Sequence, residues 1–114
     1  MRAGVNVCLG TDSLATVQRT RGRSLELNMF KEMRAFAERE SWVSARRIVR
    51  MATVNGARAL GMAGQLGELK AGTQADLVAL PFKGKLGNVH HAIVEHEGDV
   101  AASLVDGQWA KSPS

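Results

Sequence analysis

Apolar residues alternate at the start of the chain. Over residues 5–9, Val5, Val7 and Leu9 share one parity and Asn6 and Cys8 the other, a period of two that predicts a β-strand. Gly10 continues the small-residue side, and an extended path carries Asp12 onto that side too. One face is bulky and apolar. The other is small, weakly polar and ends in a carboxylate. Such a strand carries helices on one side and a site at its carboxyl end on the other.

Residues 13–23 are polar and without period. A helical spacing then begins, with Leu25, Met29, Met33 and Phe36 flanked by Phe30 and Ala37. Ser24 is the predicted cap, and Glu26 and Arg39 suit the two ends of the helix dipole. Ser44 is predicted to cap a second helix, with Ala45, Ile48, Val49 and Ala52 inside and Arg46, Arg47 and Arg50 outside. A short third helix is predicted from Asn55 to Leu60, closed by Gly61.

Beyond Gly61 the texture changes, with Gly64, Gly67 and Gly72 punctuating short segments. Residues 75–80 (ADLVAL) read as a buried strand stopped by Pro81. Residues 100–105, the Asp106-Gly107 pair and residues 108–110 read as a hairpin with a two-residue turn. A lone strand at the start cannot satisfy its own backbone or cover both its faces. The later strands are few and read as a separate small sheet. The expectation is a piece of a larger fold.

The 114 residues suffice for one small domain, and the 45% hydrophobic and 23% charged content is that of a globular chain. No apolar run approaches the roughly 20 residues of a membrane helix. Met1-Arg2-Ala3-Gly4 lacks the layout of a secretory leader, and the single Cys8 forbids an internal disulfide, so the cytoplasm is the default expectation. The net charge of +4 changes the picture little. Arg19, Arg21 and Arg23 are separated from Arg46, Arg47 and Arg50, and Glu26, Glu32, Glu38 and Glu40 lie among them. With two Trp, three Phe and no Tyr, no stacking platform stands out. Neither nucleic acid nor a membrane is expected as a partner.

Five stretches, in this order, carry a resemblance: GVNVCLGTDS, EMRAFA, RMATVNGARALG, GELKAGTQADLVAL and SLVDGQW. Together they resemble the C-terminal part of the amidohydrolase superfamily, in its branch of cytosine, guanine, adenosylhomocysteine and triazine deaminases and chlorohydrolases. The resemblance implies an α/β fold: a (β/α)8 TIM-type barrel with a small β-sandwich built from both chain ends. It implies that residues 1–61 hold the eighth barrel strand and the helices after it. Residues 62–114 would form the C-terminal part of the sandwich. It also implies that Asp12 is the catalytic acid and a metal ligand, at the strand end where barrel sites lie. A divalent metal, zinc in this branch, lowers the pKa of a water and polarises the substrate. A carboxylate beside that water takes its proton and passes it to the leaving group. The remaining family ligands, a His-x-His and two further histidines, come from strands that these residues do not resemble. The chain alone is therefore expected to bind metal weakly and to lack activity. No substrate-binding residue is identified.

The other candidates read more simply. His90, His91 and His96 fall in the stretch resembling the small domain and lack the spacing of a helical zinc pair, which favours surface or packing roles. Cys8 reads as a small buried hydrophobe rather than a nucleophile. Ser13 suits a turn, Thr11 suits a strand, Asp76 suits a structural role, and Arg19, Arg21 and Arg23 suit a solvated loop. The expected reaction is hydrolysis of a carbon–nitrogen or C–Cl bond on a purine, pyrimidine or triazine-like ring. Two alternatives stand beside it: a non-enzymatic interaction module, and one half of a split hydrolase. The expected partners are a small-molecule substrate and an N-terminal portion supplied elsewhere, with homo-oligomer formation open.

Overall fold

The computed structural model describes residues 4–12 and 27–113. The predicted cap Ser24, with Leu25 and Glu26, lies outside them. Helix α1 spans Met29–Arg39, and its cap is Asn28, whose side-chain oxygen accepts from the amides of Phe30 at 2.9 Å and Lys31 at 3.4 Å. An asparagine does here what the serine was expected to do earlier, because its short side chain folds back on the first turn. Ser44 caps α2, Ala45–Ala52, as predicted, by accepting from the Arg47 amide.

Helix α2 stops at Thr53, whose φ of −129° and ψ of −95° leave the helical region. The Thr53 hydroxyl turns back to donate to the Val49 carbonyl at 2.7 Å, a local bond that competes with the helix ladder. Helix α3 restarts at once over Val54–Ala59, one residue before the predicted start. Gly61 follows with φ +72°, the left-handed conformation that ends a helix.

The buried core joins Met33 of α1, Val43 of the α1–α2 turn, Ile48 of α2 and Val94. Val94 belongs to α4, Val89–Val94, preceded by a 3₁₀ turn at Leu86–Asn88. This helix was not predicted: at six residues, its Val89, Ala92 and Ile93 are too few to establish a period. Its packing also crosses the expected boundary at residues 61 and 62, since α4 lies in the second stretch and packs with the helices of the first.

Among the described residues, three strands form an antiparallel sheet in the order β1 (Leu77–Ala79), β2 (Ala102–Val105), β3 (Gln108–Lys111). The buried strand predicted over residues 75–80 is thus three residues long and not buried: Leu77 is half-buried and Val78 and Ala79 are exposed, because one of its faces has no cover among the described residues. The hairpin appears where it was predicted. Asp106 (φ 51°) and Gly107 (φ 76°) both take positive φ, the pair of conformations a two-residue hairpin turn of type I′ requires. Two bonds from outside pin the turn. The Asp106 amide donates to the Asp76 carboxylate at 2.7 Å and the Gly107 amide to the Ala75 carbonyl at 2.9 Å. Asp76 thus joins β1 to the β2–β3 turn. An apolar cavity of about 870 Å³ separates sheet and helices, lined by Val49, Leu60, Leu77, Phe82 and Ile93 among others.

The first segment departs from expectation. Residues 5–11 are extended but pair with no strand among the described residues. The sequence encodes the extended path, whereas a strand also needs a neighbour's hydrogen bonds. Among the described residues, no helix is long and apolar enough to cross a membrane.

Gly67 ties the loop after α3 to that helix. A Cβ there would lie 2.9 Å from the Ala57 Cβ and 3.0 Å from the Thr53 carbonyl oxygen, and φ is +88°. Gly67→Ala should therefore cost more than about 1 kcal/mol. Gly56, inside α3, has open space around the same position, and Gly56→Ala should stabilise by about 0.5–1 kcal/mol. Urea unfolding of both variants checks the opposite signs.

Candidate functional site

Among the described residues, the extended segment lies on the helices through three hydrogen bonds. The Leu9 amide donates to the Met51 carbonyl at 3.0 Å. The Asn55 side-chain amide donates to the Val7 carbonyl at 2.9 Å, and the Asn6 side-chain amide donates to the Asn55 carbonyl at 2.9 Å. The helix break at Thr53 makes them available. Carbonyls in the last turn of a helix lack intrahelical partners, and that of Met51 takes the Leu9 amide. Asn55 stands in the first turn of α3, facing the segment.

The alternation read from the sequence holds along most of the segment. Val7, Leu9 and Thr11 are half-buried, and Leu9 packs against the core. Cys8, Gly10 and Asp12 are exposed on the other side, and Asn6, also exposed, turns its side chain to the Asn55 carbonyl of α3. Val5 departs, at 63% exposed. Cys8 also departs from its expected burial, because its face of the segment has no cover among the described residues. Asp12 ends the path with φ 55°, a left-handed conformation that aspartate tolerates better than most residues. Ser13, Arg19, Arg21 and Arg23 lie outside the described residues.

The histidines do not join Asp12. His90 and His91 are on α4, with His91 Nε2 3.2 Å from Glu95 Oε2. His96 packs edge-on against Phe30 at 4.9 Å, with its Nε2 3.1 Å from the Gly98 carbonyl. Asp12 does not line the large cavity.

Comparison with known proteins decides what this arrangement belongs to. The profile described as the amidohydrolase family matches residues 1–110. The chain belongs to the amidohydrolase family. A 5-methylthioadenosine/S-adenosylhomocysteine deaminase of Syntrophobacter fumaroxidans is 39% identical over 73% of the chain and 19% of its own length. An S-triazine hydrolase of Gordonia rubripertincta is 33% identical over 90% of the chain and 20% of its own length. A 5'-deoxyadenosine deaminase of Methanosarcina mazei is 33% identical over 95% and 26%. The amidohydrolase chain thus spans 17% to 26% of the length of such curated relatives. The crystal structure of an adenosine deaminase from Xanthomonas campestris with bound zinc superposes with a TM-score of 0.77 and 30% identity, over 95% of this chain and 26% of that one.

The family implies a divalent metal. Asp12 offers one carboxylate oxygen, a donor type zinc accepts, but zinc sites take three or four protein donors. Among the described residues, no group of three His, Cys, Asp or Glu comes together. Those residues fit one corner of a metal site and do not make one.

Asn55 was the residue missed by sequence reasoning. It sits inside the RMATVNGARALG stretch, but its role depends on the break at Thr53, which no propensity marks. The donor count leads to a test. After equilibrium dialysis against zinc, the purified chain should retain well below one equivalent by elemental analysis. Retention near one equivalent, lost in Asp12→Asn, would show a self-sufficient site.

Proposed function

We propose that this chain is part of a metal-dependent hydrolase that cleaves carbon–nitrogen bonds on purine, pyrimidine or triazine-like rings, with deamination as the reaction. The observation that carries this reading is Asp12, exposed at the end of a segment held against helices, in a chain of the amidohydrolase family. The activities by which the relatives are named, two adenosine-type deaminations and a triazine hydrolysis, support the ring substrate class. In this reading residues 1–61 are the end of a (β/α)8 barrel and residues 62–114 the C-terminal part of a small β-sandwich, with α4 packed back on the barrel helices. A cytoplasmic setting goes with it.

Zinc, held mainly by ligands outside this chain, would lower the pKa of the attacking water and polarise the ring. Asp12 contributes the proton path. A carboxylate at hydrogen-bond distance from the attacking water accepts its proton, and the resulting carboxylic acid returns it to the ring nitrogen substituent, which leaves as ammonia. The exposed face of residues 6–12 suits this, because nothing described covers the carboxylate. Cys8 lies on the same face, four residues back, and has no part in the proton path.

The split-hydrolase alternative shares this chemistry and differs only in where the other strands are encoded. The test uses the native polypeptide that carries this chain. Asparagine tolerates positive φ as aspartate does, so Asp12→Asn keeps the backbone and removes the base. It should lower kcat/KM by about 10²–10⁴-fold, measured on aminopurine nucleosides, aminopyrimidines and aminotriazines. Cys8→Ser should stay within a few-fold. Wild-type rates in Asp12→Asn, or no turnover of any of these rings by the wild type, would overturn the reading.

A further inference from the structure

We propose that Asn55 is the positioning residue for Asp12, setting the register of the segment that carries it. The inference rests on the role of Asp12 proposed above. Asn55 does not reach Asp12: five residue-to-residue steps separate Val7 from Asp12, about 16 Å at the rise of a strand. It acts through the main chain.

The three bonds to the segment fall at successive points along it: the Asn6 side chain, the Val7 carbonyl and the Leu9 amide. Asn55 makes two of them, one through its side chain and one through its own carbonyl. A sheet would fix register by a ladder on each edge. Among the described residues this segment has no ladder, so these bonds take that part. The consequence of losing them follows from the period of two. A slip of one residue moves every side chain to the opposite face. Thr11 would then stand where Asp12 stands, and the carboxylate would turn toward the apolar helices.

The chemistry selects asparagine. Val7 offers a carbonyl, so the partner must donate. Aspartate has the same shape and no donor, and its oxygens would face the Val7 oxygen. Asn55 is half-buried, which limits the water that could replace the lost bond.

The test compares Asn55→Asp, Asn55→Ala and Asn6→Ala in the native polypeptide that carries this chain. Ser44→Ala, which removes the cap of α2 away from the segment, is the control for general destabilisation. Two readouts are taken below the unfolding transition: kcat and KM separately, and hydrogen exchange of the Leu9 amide. Asn55→Asp and Asn55→Ala should speed Leu9 exchange about tenfold, as the loss of one good hydrogen bond would. They should also lower kcat by about tenfold or more with KM nearly unchanged, the signature of a misplaced catalytic group. Asn6→Ala should do the same to a smaller extent. Ser44→Ala should leave both readouts unchanged. Unchanged Leu9 exchange in both Asn55 variants overturns the proposal, as does an equal loss of kcat in Ser44→Ala. The reading of Asp12 fails separately, if Asp12→Asn keeps its turnover. In that case the exchange result alone decides whether Asn55 holds the segment, and the link to catalysis is overturned.

Discussion

The described structure turns on the interruption of one helix. Had α2 run on through Thr53, the Met51 carbonyl would have accepted from the amide at position 55, and Asn55 would have pointed elsewhere on the helical wheel. The non-helical Thr53, with its hydroxyl turned back on the Val49 carbonyl, instead releases the Met51 carbonyl to Leu9 and turns Asn55 toward Val7. The same kink brings Thr53 and Ala57 against the loop at Gly67, where no larger residue fits. A single break therefore fixes both the segment that carries the acid and the exit toward the sheet.

The apolar core works on the other side of that break. Ile48, almost fully buried, sits between α1 and α4 and receives Met33 and Val94. Full burial of such a side chain stabilises by about 1.5–3 kcal/mol. Leu9 packs on the same cluster, so hydrophobic contact presses the segment onto the helices while the hydrogen bonds choose its register. Non-directional burial alone would accept Leu9 in more than one register. The polar contacts remove that freedom.

Some of this was legible in the sequence because it is local. The Ser44 cap, the apolar face of α2, the Gly61 stop and the Asp106-Gly107 turn each depend on a few neighbouring residues, and each appears where it was read. The alternation of residues 6–12 also survives, since a side-chain period needs only an extended backbone. What was not legible depends on partners distant in sequence. The cap of α1 is Asn28 rather than the expected Ser24, because several polar residues near a helix start can serve and local sequence does not choose among them. Helix α4 is six residues long and stands because Val94 and Ile93 find α1 and α2. Cys8 read as a buried hydrophobe, yet burial of that face requires a neighbour the described residues do not supply. For the candidate site, the acid was visible and its support was not. Asp12 ends a readable pattern, whereas Asn55 acquires its role 48 residues after the carbonyl it holds.

Asp12 also has a conformational role, which bears on why an acid rather than another polar residue ends the segment. A non-glycine residue at positive φ costs about 1–2 kcal/mol in most cases, and aspartate and asparagine bear this cost best because their short side chains can bond locally. Glycine would remove the strain and the functional group together. Glutamate would place a carboxylate further out on a more flexible stem, with a backbone less suited to positive φ. Aspartate meets both demands at once: it takes the positive φ at little cost, and it leaves a short-tethered carboxylate on the exposed face. The chemistry proposed for this chain needs a base whose position is set by the backbone, and the backbone here is set by Asn55 and the Met51 carbonyl.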